Sequence, residues 1–250
     1  MNAPQPLHFH SPRTDGDLAR RLRQAVGGDV LFDAAARGRY ATDASIYQVE
    51  PVGVLVPASD ADVRAAFDVC RELRIPMLPR GAGSSQCGQT VGAALVIDHS
   101  KHLNKVVAFD ADARTVTVEP GIVLDALNAW LKPHGLWFPV DVSTSAQCTL
   151  GGMAGNNSCG SRSIAYGNMV HNVTAIDALL ADGTAARFGP EADMQGAAPR
   201  ARALVAGLRA IGERERDEIA ARVPAVLRRV GGYNIDVFNP VSERPYTRDG

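Results

Sequence analysis

The segment that most constrains the fold of this chain is the run 149–160, which reads TLGGMAGNNSCG. It holds four glycines and two asparagines in twelve residues. Because each glycine in a helix interior costs about 1 kcal/mol relative to alanine, this run is not expected to form an ordinary helix interior. Long loops inside compact domains are uncommon and usually functional. We therefore expect a backbone that wraps a large flat ligand, and a long structural loop is the alternative.

A second glycine-rich loop, residues 80–85, follows an extended segment at 75–79. Glycine lets the backbone approach a ligand closely, and consecutive N–H groups can form an anion-binding concavity. The loop also carries an arginine and two serines, which could donate to phosphate. It is not a Rossmann or Walker motif, because Gln86 replaces the third glycine and no Gly-Lys-Ser/Thr follows. A pyrophosphate cradle and a pair of tight turns are both open.

Hydrophobic periodicity predicts a strand, a helix and a second strand before this loop. Residues 54–57 and 75–79 are short extended segments, and the first is an apolar run followed by turn residues. Ser59 is placed to cap the intervening helix, whose apolar residues recur at helical spacing. The order strand–helix–strand implies a right-handed crossover and parallel pairing of the two strands.

Two hairpins are predicted after this region. Strands at 106–109 and 115–118 flank a polar turn, and an Asp-Gly pair joins strands at 173–181 and 185–188. A helix is expected between the hairpins. Both tryptophans of the chain are expected in the core, at Trp130 and Trp137.

Composition excludes several classes of protein. A net charge of −1 gives no electrostatic case for binding nucleic acid. No stretch approaches the roughly 20 apolar residues of a membrane span, and the N-terminus has no secretory signal. The histidines lack HxxxH or HExxH spacing, and the cysteines lack CxxC spacing, so no metal site is expected. Such scattered thiols are typical of a reduced cytoplasmic protein: Cys70, Cys87, Cys148 and Cys159.

Five motifs together resemble the FAD-binding PCMH-type domain of the vanillyl-alcohol-oxidase-like flavoproteins. They occur in the order of that family, over roughly residues 40–245, at 79–85, 118–121, 138–141, 149–157 and 161–167. The resemblance is strongest to the D-lactate, glycolate and D-2-hydroxyglutarate dehydrogenase members, particularly the long bacterial forms with a C-terminal iron–sulfur part. Any one motif alone is weak, whereas five in order are specific.

The resemblance implies non-covalent FAD and a role for each matching residue. The pyrophosphate would be held by Arg80, Gly81, Ala82, Gly83, Ser84 and Ser85. The path towards the flavin ring would be lined by Pro139, Asp141 and Ser145. Pyrophosphate, ribityl chain and isoalloxazine would be wrapped by Thr149, Gly151, Gly152, Gly155, Asn156, Asn157 and Gly160. The adenine end would meet the backbone at Val173. Some relatives tether FAD through a histidine in the first loop, where this chain has Ser84 and Ser85.

The implied fold is α+β, with two α/β subdomains at about 40–105 and 106–190 that clasp FAD. Residues 1–39 are expected to form an N-terminal tail and helix, and 40–190 the FAD-binding domain. Residues 191–250 are expected to begin a following helical or substrate region that is incomplete here.

The implied activity is oxidation of a 2-hydroxy acid with hydride transfer to FAD. Electrons would leave to a quinone, a cytochrome or an iron–sulfur carrier, and a missing C-terminal domain would be a partner. No catalytic base can be named in this chain. The expected location is the cytoplasm, with peripheral association at the inner membrane left open.

Three other interpretations are open. The chain could be a catalytically silent FAD-binding or interaction module left by truncation. It could belong to a UDP-N-acetylmuramate-type reductase with the same fold. It could also be an ordinary α/β binding domain without flavin, against which the run 151–157 argues.

Overall fold

The computed structural model describes residues 12–190, 196–224, 226 and 233–238. The chain forms two compact units, the first from Met1–Leu136 with Thr144–Gly152 and the second from Trp137–Ser143 with Met153–Gly250. Both units mix helices and strands, which confirms the α+β class. The first unit extends well past residue 106, so the expected subdomain boundary there is wrong. The predicted domain limits near 39 and 190 stay predictions.

A four-stranded sheet forms the centre of the first unit. Its strands are β1 (Asp29–Leu31), β2 (Gly53–Val56), β3 (Met77–Arg80) and β4 (Leu95–Asp98), in the spatial order β1-β2-β4-β3. Strands β2 and β3 each pair in parallel with β4, and β1 pairs antiparallel with β2. The predicted parallel direction of β2 and β3 is confirmed, but β4 lies between them. The carboxyl ends of β3 and β4 therefore lie side by side.

The central strands of this sheet are apolar on both faces, so both faces are covered. Helices α1 (Pro12–Ala25) and α3 (Asp60–Leu73) cover one of them. Strands β2 and β4 are buried along their whole length, as expected of parallel strands. Helices α1 and α3 bury Leu22 and Cys70 against Leu55. The side chain of Ser59 accepts a hydrogen bond from the N–H of Asp62, which confirms the predicted cap of α3.

The opposite face of the sheet packs on helix α2 (Ala34–Tyr40). There Val54, Val56 and Val96 contact the half-buried side chain of Tyr40. This packing fixes the end of α2 close to β4, where it reaches the first glycine-rich loop.

The first predicted hairpin is confirmed as β5 (Val106–Asp110) and β6 (Thr115–Val118). Helix α4 (Leu124–Leu131) follows and continues as a 3₁₀ turn at Lys132–His134. The placement of Trp130 in the core is wrong, since it is 38% exposed. Its ring packs at the surface against Phe109 and His134, with centroids 5.2 and 5.0 Å away.

Part of the second glycine-rich run is helical, contrary to the prediction. Helix α5 spans Leu150–Gly155 and includes three of the run's four glycines. Tertiary packing outweighs helix propensity here: a Cβ at Gly151 would lie 2.6 Å from Cβ of Pro120. The helix is also only six residues long, so it has almost no interior in which glycine would be costly.

The second unit contains short helices followed by a hairpin. Helices α6 (Ser163–Tyr166) and α7 (Met169–Asn172) precede strands β7 (Ile176–Leu179) and β8 (Ala185–Phe188). The hairpin register pairs Asp177 with Arg187, and their side chains form a salt bridge at 2.9 Å. The second predicted hairpin is therefore confirmed.

Two helices follow this hairpin, and the first of them packs against it. They are α8 (Pro199–Arg214) and α9 (Arg216–Arg222), and a 3₁₀ turn lies at Ile235–Phe238. Ala201 of α8 and Ala186 of β8 are both buried in one small apolar cluster. Within 191–250, the region expected to begin a following helical or substrate part, residues 199–214 and 216–222 are helical, while 225 and 227–229 lie outside the described residues.

Candidate cofactor site

The site in the first unit begins at the carboxyl ends of β3 and β4, the edge at which ligands bind in parallel sheets. Arg80 and Asp98 are the last residues of the two strands and pair in register. The next N–H group, that of His99, donates to the carbonyl oxygen of Arg80 at 3.0 Å. The loops that leave β3 and β4 therefore start side by side.

A bridge of backbone hydrogen bonds joins the loop after β4 to the second glycine-rich run. The N–H of Gly121 donates to the oxygen of Leu103 at 2.7 Å, and the N–H of Gly151 donates to Pro120 at 2.8 Å. Val123 forms an isolated β-bridge with Thr149. The segment 120–123 thus fixes where α5 begins.

Thr149 in turn contacts the first loop. Its side chain is 2% exposed, and its Oγ1 would lie 2.1 Å from a Cβ built on Gly81. The same oxygen accepts a weak hydrogen bond of 3.4 Å from the N–H of Gly152. The two glycine-rich segments, far apart in sequence, therefore meet at Gly81 and Thr149.

The loop after β3 offers a row of free backbone donors. In the described ranges, the N–H groups of residues 81–84 donate to no other protein atom. Gly83 has φ +67°, a left-handed conformation that favours glycine. Consecutive free N–H groups beside a left-handed residue are the donor set that binds a phosphate or pyrophosphate. The residues present therefore fit the pyrophosphate of FAD.

The side chains of this loop are largely engaged within the protein. The Arg80 guanidinium donates to the carbonyl oxygens of Thr42 at 2.8 Å and Tyr40 at 3.1 Å. The Ser85 hydroxyl pairs with Gln89 and accepts from the N–H of Cys87. A direct contact of Arg80 or Ser85 with phosphate thus stays a prediction.

A hydrogen-bonded pair of the half-buried Tyr40 and the buried Asp98 lies beside the loop. The Tyr40 hydroxyl donates to Oδ2 of Asp98 at 2.6 Å, and the N–H of Ser100 donates to Oδ1 at 2.8 Å. Burial raises the pKa of Tyr40, and its hydrogen bond to Asp98 raises that pKa further. Sequence reasoning missed this pair, because nothing in the pattern links two residues so far apart in the chain.

In the second unit, Asp141 organises the end of the glycine-rich run. Its carboxylate accepts from the N–H of Arg162 at 3.0 Å and from the Ser161 hydroxyl at 2.8 Å. A Cβ at Gly160 would lie 1.9 Å from the Asp141 carbonyl oxygen, so no larger residue fits there. Burial acts to raise the pKa of Asp141, but these hydrogen bonds outweigh it and hold the pKa below its ordinary value.

An exposed aromatic group lies beside Arg162, whose guanidinium also pairs with Asp141 at 3.6 Å. Trp137 is 43% exposed, so its expected place in the core is wrong. Its ring meets Tyr166 edge-on with centroids 5.2 Å apart, and the Arg162 guanidinium lies 5.5 Å from its centroid. A positive charge over an aromatic face is attracted by the ring electrons. Trp137 and Asp141 therefore both hold the Arg162 side chain in place.

The paired asparagines shape the turn after α5. Asn157 has φ +46°, a conformation that asparagine tolerates better than most residues. Its Oδ1 accepts from the N–H of Val170 at 3.1 Å, and the Asn156 amide donates to Ser158 at 3.1 Å. Val173, at the end of α7, donates its N–H to Met169 at 2.9 Å.

The structure divides the predicted site residues between the two units. The first unit holds one set: Arg80, Gly81, Ala82, Gly83, Ser84, Ser85, Ser145, Thr149, Gly151 and Gly152. The second unit holds the others: Pro139, Asp141, Gly155, Asn156, Asn157, Gly160 and Val173. Their roles toward FAD stay predictions. Within the described residues, no group of three or more His, Cys, Asp or Glu side chains could hold a metal ion.

Comparison with known proteins places this geometry in a family. A family model described as FAD binding domain matches residues 51–189. D-2-hydroxyglutarate dehydrogenase of Pantoea ananatis is 38% identical over 163 residues, covering 64% of this chain and 16% of that protein. Glycolate oxidase subunit GlcD of Bacillus subtilis is 34% identical, covering 69% of this chain and 37% of that protein.

A solved structure of alkyldihydroxyacetonephosphate synthase shares the fold, with a TM-score of 0.63 at 20% identity. It covers 77% of this chain and 42% of that structure. The chain thus spans about one sixth to two fifths of the length of these proteins. No helix among the described residues is long and apolar enough to cross a membrane. With its family model matched over more than half its length, the chain belongs to the FAD-binding-domain family, and its cofactor is FAD.

Proposed function

We propose that this chain is the FAD-binding part of an oxidoreductase that oxidises a 2-hydroxy acid. The observation that carries the proposal is the row of free N–H groups at 81–84, held against Thr149 at the carboxyl edge of the sheet. The relatives named D-2-hydroxyglutarate dehydrogenase and glycolate oxidase support the substrate class. Both named substrates carry a hydroxyl group on the carbon next to a carboxylate.

Each predicted residue then has a proposed task. The backbone of the loop 80–85 holds the pyrophosphate, and residues 149–152 continue that contact. Pro139, Asp141, Ser145 and the run 155–160 support the ribityl chain and the flavin ring, while the backbone at Val173 meets the adenine. When bound, FAD accepts a hydride from the hydroxyl-bearing carbon of the substrate.

FAD is proposed to be held without a covalent bond. The loop offers the hydroxyls of Ser84 and Ser85 where some similar flavoproteins tether the cofactor through histidine. Acid or heat precipitation of the loaded protein should therefore release all flavin into the supernatant. Flavin that stays with the precipitated protein through denaturing washes would contradict this.

The remaining parts of the reaction are proposed to come from partners. The chain corresponds to 16% of the D-2-hydroxyglutarate dehydrogenase relative, so we propose a further domain that binds the substrate and supplies the base. A quinone, a cytochrome or an iron–sulfur carrier would accept the electrons.

The first experiment is a visible absorption spectrum of the purified chain with FAD, before and after anaerobic addition of D-lactate or D-2-hydroxyglutarate. A flavin band that bleaches supports the full proposal. A band that persists with every 2-hydroxy acid favours a silent cofactor module. Absence of a band in this chain and in a longer one would contradict flavin binding.

A substitution at Gly152 tests the site itself. A Cβ there would already lie 3.2 Å from Oγ1 of Thr149, so Gly152→Leu would displace Thr149 and lower flavin content. Gly38→Leu is the matched control, because Gly38 lies in the first unit with no atom within 4 Å of its Cβ position. Equal flavin content in both variants would sink the proposed site.

A further inference from the structure

We propose that residues 40–44, here called the anchoring segment, hold the pyrophosphate loop in shape, and that Arg80 acts as the positioning residue that binds this segment to the loop. The proposal rests on the proposed function, because the loop is taken to hold FAD. The anchoring segment precedes the matched region 51–189.

The Arg80 guanidinium makes most of the contacts between the loop and the anchoring segment. It donates to three carbonyl oxygens, those of Thr42 at 2.8 Å, Tyr40 at 3.1 Å and Thr90 at 3.4 Å. It also lies 5.2 Å from the centroid of the Tyr40 ring. A planar guanidinium can satisfy several carbonyls in one plane, and a lysine ammonium cannot reproduce that fork.

The loop curves around this guanidinium. A Cβ on Gly83 would lie 2.4 Å from the terminal nitrogen Nη2 of Arg80. The Gly83 carbonyl oxygen accepts a hydrogen bond of 3.0 Å from the N–H of Ala44, inside the anchoring segment. The Gly83 carbonyl therefore faces the segment, and the free N–H groups of 81–84 are left for a ligand.

Two further bonds fix the segment from other sides. The Thr90 hydroxyl donates to Oδ2 of Asp43 at 2.7 Å, which ties the segment to the chain between the loop and β4. The Tyr40 hydroxyl donates to buried Asp98 on β4, which ties it to the sheet. The loop is thus held to a rigid support on both sides, as precise ligand sites require.

This arrangement gives the Arg80 charge a different task from a phosphate contact. If Arg80 only contacted phosphate, its replacement by lysine would not change the structure of the FAD-free protein. If Arg80 is a positioning residue, its replacement by lysine would loosen the anchoring segment even in the absence of FAD. The two roles therefore differ in a measurement that needs no cofactor.

The test compares Arg80→Lys and Thr90→Val with the wild-type chain and with Arg64→Lys, an exposed control on α3. Hydrogen–deuterium exchange without FAD reports the Ala44 amide, and fluorescence titration reports FAD affinity. We expect Arg80→Lys to speed exchange at 40–44 by about tenfold or more and to weaken FAD binding by a similar factor, as for a lost hydrogen bond to a charged group. Thr90→Val should act in the same direction with a smaller effect.

Three outcomes would overturn the proposal. Weaker FAD binding with unchanged exchange would make Arg80 a direct phosphate contact. Faster exchange with unchanged FAD affinity would separate the segment from the site, and no change in either would remove the role altogether. If the wild-type chain binds no FAD, the proposed function fails, while the exchange arm still decides whether Arg80 holds the segment.

Discussion

Oγ1 of Thr149 occupies the space that a side chain at residue 81 would need, since a Cβ there would lie 2.1 Å from it. The contact joins two segments 68 positions apart in the chain, 149 − 81. It makes glycine at 81 and a small polar residue at 149 a matched pair. It also fixes where the free N–H groups of the loop begin.

Replacement of Gly81 by alanine should therefore damage both stability and cofactor binding. Overpacking of this kind costs about 1–3 kcal/mol, and we expect the unfolding free energy in urea to fall by that amount. FAD affinity should fall with it. Gly38→Ala, in open space on α2, should be neutral or slightly stabilising. Removing Oγ1 in a Gly81→Ala, Thr149→Ala double variant should recover part of the loss; strictly additive losses would show that the contact is not the cause.

Gly160→Ala should disrupt the second unit more severely. The added Cβ would meet the backbone oxygen of Asp141 at 1.9 Å, and no side-chain truncation can relieve a clash with backbone. We expect a loss of at least about 2 kcal/mol in denaturant unfolding. Gly155→Ala, in the same run but with open space around it, should change stability little. Equal losses in the two variants would refute the steric explanation.

The hydrogen bonds of Asp141 predict a dependence of stability on pH. The pKa of Asp141 lies below its ordinary value of 3.8 when the chain is folded. Its stabilising contribution is therefore complete above pH 3.8 and is lost as the pH falls through the lower folded pKa. Asp141→Asn should be less stable at neutral pH and should lose less stability between pH 5 and 3. Denaturant midpoints across this range measure it, with exposed Asp112→Asn as the control; parallel curves for Asp141→Asn and wild type would contradict the prediction.

Tyr40→Phe should destabilise the first unit by about 1–3 kcal/mol, because it removes a hydrogen bond from a buried carboxylate. Asp98 is 7% exposed and, among the residues that the structure describes, would retain only the N–H of Ser100 as a donor. Urea unfolding followed by circular dichroism measures the loss. Tyr47→Phe, whose ring is 54% exposed, should have little effect. A Tyr40→Phe variant as stable as wild type would show that Asp98 finds another donor.

Local pattern predicted most elements of this fold. The apolar run of β2, the Ser59 cap and both hairpins follow from periodicity and turn residues within a few positions of one another. A loop after β3 was also expected, because glycines and serines follow a predicted strand there. In each case the interactions that determine the element join residues that are close together in the sequence.

The errors share the opposite property. The insertion of β4 between β2 and β3 depends on pairing between distant strands. The helix at α5 depends on Pro120, about thirty positions earlier. The Tyr40–Asp98 bond and the carbonyl partners of Arg80 likewise join separate segments. Tryptophan is large enough that it is rarely buried completely, which explains the exposed rings of Trp130 and Trp137.

The central position of β4 also has a kinetic consequence. Strands β2 and β3 do not pair with each other, and each has β4 as its parallel neighbour. During synthesis, residues up to 80 can form α3 but cannot close the parallel sheet until residues 95–98 have left the ribosome. The loop 81–92 therefore cannot be enclosed between paired strands, and the cofactor cradle cannot be complete, before β4 has been made.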